Sequence, residues 1–264
     1  MDAPHGTQSL ARSIKLLRVV ATRGEIGWRL SDLAAACELD RSTAHRILTG
    51  LVKERLVQQR PDDRRYLPGP MLFELGLSLP AHYKFQLAAE AHLAPWARRM
   101  KATALLLLRS GFEFVCSVRT GPMPLPGLMI EQGTRRPLFT SSGGVAMMLA
   151  MSKAEAAEVL KNNINQEVDK RGASRLAALR KMRVLSARHG FGVNLGYVAA
   201  GVHAFAVPTR APDGKPFAAL CLMSTAEHFD ESRLDEVRAE LERMALLIEA
   251  DAARLLFRAP ATGA

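Results

Sequence analysis

The chain has 264 residues, 48% hydrophobic and 23% charged. That composition excludes a disordered or low-complexity protein and leaves room for two compact domains of roughly 100–200 residues each. The net charge of +10 favours a polyanionic partner, yet residues 1–80 hold 12 Lys+Arg against 9 Asp+Glu and residues 81–264 hold 24 against 17, so the excess is not gathered at one end. There is no apolar run of bilayer length and no charged-then-apolar export signal at the N-terminus, so a cytoplasmic location and no membrane partner are expected. Cys37, Cys116 and Cys221 are widely separated and in no metal spacing, so they are expected to be reduced thiols, with no metal site and no cofactor.

Residues 1–8 are polar and expected to fray. A helix follows with Leu10, Ile14, Leu17, Val20 and Ala21 on one face. Residues Asp32 to Glu38 predict a short helix capped by Ser31, whose hydroxyl can accept an otherwise orphaned N–H. After a break at Glu38-Leu39, Asp40 can cap a second helix reaching about Arg55. Its residues Ala44, Ile47, Leu48, Leu51 and Val52 fall at the spacing of one buried face. The opposite face carries Arg41, Ser42, Thr43, His45, Arg46, Thr49 and Lys53. Two helices joined by a tight turn, with a polar and basic outward face on the second, describe a helix-turn-helix. Leu56–Arg60 and Arg65–Leu67 predict two short strands around Pro61-Asp62-Asp63-Arg64, a hairpin with arginines at its tip. Residues 9–68 are therefore expected to form a winged helix-turn-helix.

Residues 69–92 predict a helical linker, punctuated by Gly69-Pro70 and interrupted at Pro80. Its segment Met71–Leu79 is too apolar for a free solvated helix; it packs either on its own domain or on the same segment of a second subunit. A second domain, 93–258, starts near Leu93-Ala94-Pro95-Trp96, with Pro95 in a first helical turn. Strands are expected at Thr103–Arg109 and Phe114–Arg119, a proline-rich loop at Thr120–Gly127 and a possible strand at Leu128–Glu131. The glycine-rich Thr140–Gly144 leads into a helix over Val145–Met151. Helices near 153–162 and 173–189 precede strands at Gly192–Val198, Gly201–Arg210 and Pro216–Met223, the last two joined at Pro212-Asp213-Gly214. A closing helix from about Asp230 to Phe257 carries Leu234, Val237, Leu241, Met244, Ile248 and Leu255 in one stripe. The fold class is α+β in two domains: the winged helix-turn-helix, the helical linker, and an α/β sensor-like domain with a mostly antiparallel sheet.

Nucleophile-elbow, phosphate-loop, zinc-protease and paired Cys-x-x-Cys patterns are absent. Ser141-Ser142-Gly143-Gly144 reads as a turn at a helix N-terminus, either suited to an anion or simply a tight strand-to-helix connection. The seven histidines make no ligand cluster, and His203, in a strand whose residues Val202, Ala204 and Ala206 face the other way, reads as structural. The acid-free run Lys170–Arg188, with Arg175 among its basic residues, reads as a solvated face without a role.

From Ser9-Leu-Ala-Arg-Ser-Ile-Lys-Leu-Leu17 onward, the chain resembles the IclR-type bacterial transcriptional regulators over nearly its whole length. The likeness runs through Ser42-Thr43-x-His45-Arg46-Ile47-Leu48 and the wing ending Arg65-Tyr66-x-x-Gly69. In the second domain the family's Pro-Leu-His-Ala-Thr-Ala-x-Gly-Lys-Ala segment corresponds to Pro137–Ala146, and its Gly-Tyr segment to Gly190-Phe191-Gly192-Val193-Asn194. Gly201, Pro208, Asp213-Gly214 and Ala218-Ala219-Leu220 continue the match. The resemblance implies a dimer or dimer of dimers and a C-terminal effector domain for small acids or aromatic metabolites. Carried over by position, the effector pocket would be lined by Leu128, Ser142, Gly143, Asn194, Val202, Ala204, Cys221 and Met223. The chain departs from the family at Phe139 and Val145, at Leu195-Gly196-Tyr197-Val198 where an acidic stretch is common, and at Cys221 and Met223, which suggests a more apolar or aromatic ligand.

The expected function is a ligand-responsive transcription regulator rather than an enzyme. Arg41, Ser42, Thr43, His45, Arg46, Thr49 and Lys53 would meet the major groove, and Arg60, Arg64 and Arg65 of the wing the backbone or minor groove. Two such domains about a two-fold axis imply a pseudo-palindromic operator in double-stranded DNA. Two other classes are weighed against this. An enzyme would need a nucleophile-base pair assembled from Ser142, Cys221 and His203, and a protein-docking winged helix would bind no DNA.

Overall fold

A computed structural model of the chain describes residues 5–122 and 130–257, with backbone alone at 5–6 and 166–173. The chain divides into two compact units, residues 1–80 and 81–264.

In the N-terminal unit, α1 (His5–Val20), α2 (Leu30–Cys37) and α3 (Arg41–Lys53) form a three-helix bundle. The hairpin β1 (Val57–Gln59) and β2 (Tyr66–Pro68) and the short helix α4 (Pro70–Gly76) follow. The core is Leu16, Val20, Leu33, Ala34, Cys37, Ala44, Leu48, Val57 and Tyr66. The stripe expected on α1 is only partly used. Leu16 and Val20, one turn apart, are buried, whereas Leu10 and Ile14 are exposed, because the packing falls on the C-terminal turns of the helix. Ser31 does not cap α2: the helix begins one residue earlier, with Arg29 at the N-cap, and the Ser31 hydroxyl donates to Asp32 Oδ1. The turn into α3 is closed by Glu38 in the left-handed region (φ 56°), with Leu39 N–H on the Ala34 carbonyl and Glu38 N–H on that of Ala35. Asp40 does cap α3, accepting the Thr43 N–H at 2.8 Å and the Ser42 hydroxyl at 2.6 Å. Helix α4 is tied back to the bundle by the Arg55–Glu74 ion pair and by Met71 N–H on the Arg55 carbonyl.

In the C-terminal unit a six-stranded, wholly antiparallel sheet runs β5-β4-β3-β8-β7-β6, built from β3 (Thr103–Ser110), β4 (Glu113–Thr120), β5 (Arg135–Pro137), β6 (Gly192–Leu195), β7 (Val202–Arg210) and β8 (Pro216–Thr225). Strand alternation sends one set of side chains to each face. Ala104, Leu106, Phe205, Leu220 and Leu222 pack under α5 (Pro80–Arg99) and α8 (Leu234–Leu255). Leu105, Leu107, Ala204, Ala206, Cys221 and Met223 pack under α6 (Ser142–Leu149) and α7 (Lys153–His189).

Four sequence expectations are corrected here. Pro95 lies inside α5, not in a first turn: the helix runs unbroken from Pro80, burying Phe85, Ala89, Leu93, Trp96 and Ala97, while Pro95 itself is exposed. The second half of the expected linker thus belongs to the core of the C-terminal unit. The third strand is Arg135–Pro137; Ile130 and Glu131 are not strand, and Leu128, with most of the proline-rich loop, lies outside the described residues. The two helices expected over 153–189 are one 37-residue helix, α7. The closing helix is shorter than expected, a 3-10 turn at Glu231–Arg233 followed by α8.

Thr209 in β7 is fully buried, and its Oγ1 has no hydrogen-bond partner. A buried hydroxyl without a partner costs about 1–3 kcal/mol. Thr209→Val is therefore expected to stabilise the C-terminal unit by about 1 kcal/mol, read as a higher urea midpoint from the fluorescence of buried Trp96.

Candidate DNA-binding surface and effector cavity

The core face of α3 is set by Ala44 and Leu48, with Ile47, Leu51 and Val52 half-buried. At 100° per residue, Ser42, Arg46, Thr49 and Lys53 lie directly opposite and are exposed. Arg41 and His45 flank that ridge on one side and Thr43, half-buried, on the other. The Thr49 hydroxyl donates to the His45 carbonyl, and Ser42 donates to the capping Asp40, leaving its lone pairs outward. These bonds, the Ser42 hydroxyl first and the Thr43 N–H second, hold the Asp40 carboxyl far below the usual carboxylate range, so the cap stays ionised in mild acid. Beside α3 lies a groove of about 670 Å³ in which Thr43, Arg46 and Lys53 face Ser9, Arg12 and Ser13 of α1. Arg12 is exposed and adds a cation that the recognition-helix pattern could not have supplied.

The three wing arginines differ in their surroundings. Arg60 pairs with Asp63 at 3.2 Å and donates to the Glu25 carbonyl. Arg65 pairs with the same Asp63 at 3.1 Å and donates to the carbonyls of Ile26 and Gly27. Both brace the hairpin against the 25–27 segment. Arg64, at φ 58°, is exposed at the turn.

In the C-terminal unit a cavity of about 560 Å³ opens between the sheet and α6 and α7. Of the eight residues assigned to an effector pocket, Ser142, Gly143, Asn194, Val202, Ala204, Cys221 and Met223 all line it; Leu128 lies outside the described residues. Leu105, Leu107, Phe114, Ile130 and Met182 complete the apolar wall. The charged groups of the described lining are Arg136 and Arg175. Arg175 had been read as part of a solvated face; α7 instead turns it inward, and its Nη1 donates to the Val198 carbonyl at 2.7 Å. Side chains of Lys170 and Arg171, from the same run, are not described.

The floor of the cavity depends on glycines. An added Cβ at Gly143 would collide with Cys221 Sγ and, at 2.8 Å, Leu107 Cδ1; at Gly144 it would overlap the Leu138 carbonyl, and at Gly192 that of Ser142. Helix α6 can therefore lie on the sheet only with glycine at these positions. Ser141 caps it, its Oγ accepting the Gly144 N–H at 3.0 Å. Fully buried Asn163 of α7 holds the approach: its Oδ1 accepts the Phe139 N–H at 2.9 Å and its Nδ2 donates to the Phe112 carbonyl at 3.0 Å.

Nucleophilic chemistry is not assembled here. His203 turns to the other face of the sheet, with Nδ1 2.7 Å from the Phe229 carbonyl and its ring against Phe205, away from Ser142 and Cys221. Burial pushes the Cys116 thiol up to about 12, and Cys221 higher still. Both are neutral in the folded protein at physiological pH and are expected to resist Ellman's reagent until the chain is denatured. A thiol whose folded pKa is raised supports the fold fully below its ordinary value of 9.0 and progressively less as pH climbs above it. An unfolding series at pH 7, 9 and 10.5 should show stability falling over the upper interval.

A winged helix-turn-helix followed by an antiparallel-sheet unit with an internal cavity defines the class of two-domain, ligand-binding transcription regulators. Residues 9–61 match the IclR helix-turn-helix domain and residues 86–250 the bacterial transcriptional regulator IclR C-terminal domain. The chain belongs to the IclR family of bacterial transcriptional regulators, whose members regulate transcription and are not enzymes. The glycerol operon regulatory protein of Streptomyces griseus is 29% identical over 205 residues, 77% of this chain and 79% of that one. The fold is also that of an IclR family transcriptional regulator from Brucella abortus (TM-score 0.72, 19% identity, 95% of each chain). An IclR homolog from Microbacterium hydrocarbonoxydans complexed with 4-hydroxybenzoate is similar too (TM-score 0.65, 22% identity, 93% of this chain and 99% of that one). No helix among the described residues is long and apolar enough to cross a membrane, and those residues hold no cluster of three metal-ligating side chains.

Proposed function

We propose that the chain is a cytoplasmic, homo-oligomeric regulator that binds a pseudo-palindromic operator and responds to a small organic anion with an apolar or aromatic body. The exposed ridge Ser42-Arg46-Thr49-Lys53, opposite the core face of α3, carries the DNA half of this reading. In the major groove Arg46 reads a base edge, with Arg41, Thr43 and His45 at the flanks. Arg64 reaches the backbone or minor groove, while Arg60 and Arg65 hold the wing in position and offer their remaining N–H groups to phosphates. A dimer, or dimer of dimers, buries the apolar side chains left exposed in the N-terminal unit, Leu10 and Ile14 on α1 and Phe73, Leu75, Leu77 and Leu79 on and after α4.

The effector half rests on the cavity: about 560 Å³, apolar walls, two guanidinium groups, and the N-terminus of α6 beside Ser142 and Gly143. The 4-hydroxybenzoate in the Microbacterium homolog is of the same chemical kind. Effector binding can change operator affinity only through a different affinity for the two arrangements of the regulator. Fluorescence anisotropy with DNA from upstream of the coding region, titrated with salt beside a scrambled duplex, tests the reading. Sequence-preferring binding that falls linearly on a log–log salt plot, and shifts with an aromatic acid, is the expected result. Equal, weak binding to both duplexes with and without such acids would overturn it.

A further inference from the structure

Between β6 and β7 the chain makes a six-residue loop, Gly196-Tyr197-Val198-Ala199-Ala200-Gly201, and Val198, Ala199 and Ala200 form part of the cavity wall. Each end is a glycine with positive φ, 79° at Gly196 and 75° at Gly201, with open space around both. The ends lie close together: an ideal Cβ on Gly196 would stand 3.8 Å from Gly201 N. Such a loop can swing as a unit about its two ends without dragging the strands.

Its middle is pinned at one residue. The Val198 carbonyl accepts from Arg175 Nη1 at 2.7 Å, and the Val198 N–H donates to Asn194 Oδ1 at 3.2 Å. Asn194 also donates through Nδ2 to the Val202 carbonyl at 3.3 Å, beyond the second glycine. Asn194 is buried in β6 and fixed by its strand. Arg175 stands on α7, carries charge, and faces the cavity itself. The loop is thus held by a cation whose present acceptor is a neutral carbonyl.

We infer that Arg175 is the residue that selects an anionic ligand and that it couples occupancy to the 196–201 strap. A carboxylate entering the cavity is a stronger acceptor than a peptide carbonyl, since charge-assisted pairs are about twice as strong as neutral ones. It draws the guanidinium off Val198 and releases the strap to pivot at Gly196 and Gly201. A neutral ligand of the same shape fills the apolar walls but leaves the strap latched. The inference rests on the cavity's being the effector site.

The test is hydrogen exchange by mass spectrometry on the full-length chain. Without ligand, Arg175→Met is expected to raise exchange in the peptide spanning 195–202 at least tenfold while β8 is unchanged. Arg175→Lys, which keeps the charge and loses the planar fork, should raise it less and guards against misfolding of the first variant. Unchanged strap exchange in both variants overturns the latch. With saturating benzoate, the wild-type strap should exchange faster while the 141–147 turn exchanges more slowly, and benzamide should slow the turn without freeing the strap. Benzoate slowing both segments overturns the competition for Arg175. Benzoate changing nothing, in a chain whose strap is loosened by Arg175→Met, supports the latch and instead removes the aromatic-carboxylate reading of the cavity.

Discussion

Gly144→Ala is expected to lower the stability of the C-terminal unit by about 3 kcal/mol, at the upper end of what overpacking a core usually costs. The obstacle is the Leu138 backbone carbonyl, which an added methyl would overlap. Leu138 opens a fully buried 3-10 turn, Leu138–Thr140, whose Phe139 N–H is held by buried Asn163, so the carbonyl has nowhere to retreat. Helix α6 must instead lift from the sheet, which uncovers Cys221 and deforms the cavity floor. Denaturation followed by fluorescence separates the consequences, because the two tryptophans are divided between the units, Trp28 in the first and Trp96 in the second. The transition reported by Trp96 should move to lower urea; a wild-type midpoint there would mean that α6 does not lie where the structure has it.

Arg46→Ala is expected to weaken operator binding about tenfold to a hundredfold per half-site, corresponding to roughly 1–3 kcal/mol for a bidentate base contact. The fold should be untouched, since Arg46 is exposed and lies opposite the Ala44–Leu48 core face. Lys53→Ala, on the same ridge, should act differently: a similar loss on specific and scrambled DNA, with a salt slope shallower by about one. Removing Arg60 or Arg65 should weaken binding and also loosen the hairpin, because each is tied to Asp63 and to the 25–27 carbonyls. Anisotropy for all four variants, paired with thermal melts, sorts the roles. Unchanged affinity in Arg46→Ala would remove that residue from the DNA face.

What could be read from the chain beforehand was mainly local. The Asp40 cap depends on residues two and three positions ahead, and the α3 face on a periodicity within thirteen residues, so both were visible in the string. The β7–β8 hairpin announced itself through Pro212-Asp213-Gly214. Tertiary packing overrode local signals elsewhere. Pro95 looks like a helix start, but the burial of Leu93 and Trp96 on either side carries α5 through it. The polar, glycine-containing middle of α7 looks like a break, and the backbone stays helical. The cavity residues came from family likeness rather than from any pattern, and that likeness missed Arg136 and Arg175, whose inward direction is decided only when β5 and α7 take their places.

The central pairing of the large sheet joins β3, at 103–110, to β8, at 216–225. More than a hundred residues separate the two, so the C-terminal unit cannot close until nearly the whole chain has left the ribosome, and closing so long a loop is slow. The bundle of residues 1–80 needs only nearby contacts and is complete as a sequence long before that. During synthesis the nucleic-acid-facing half therefore folds first, while the half that would restrain it is still an open chain.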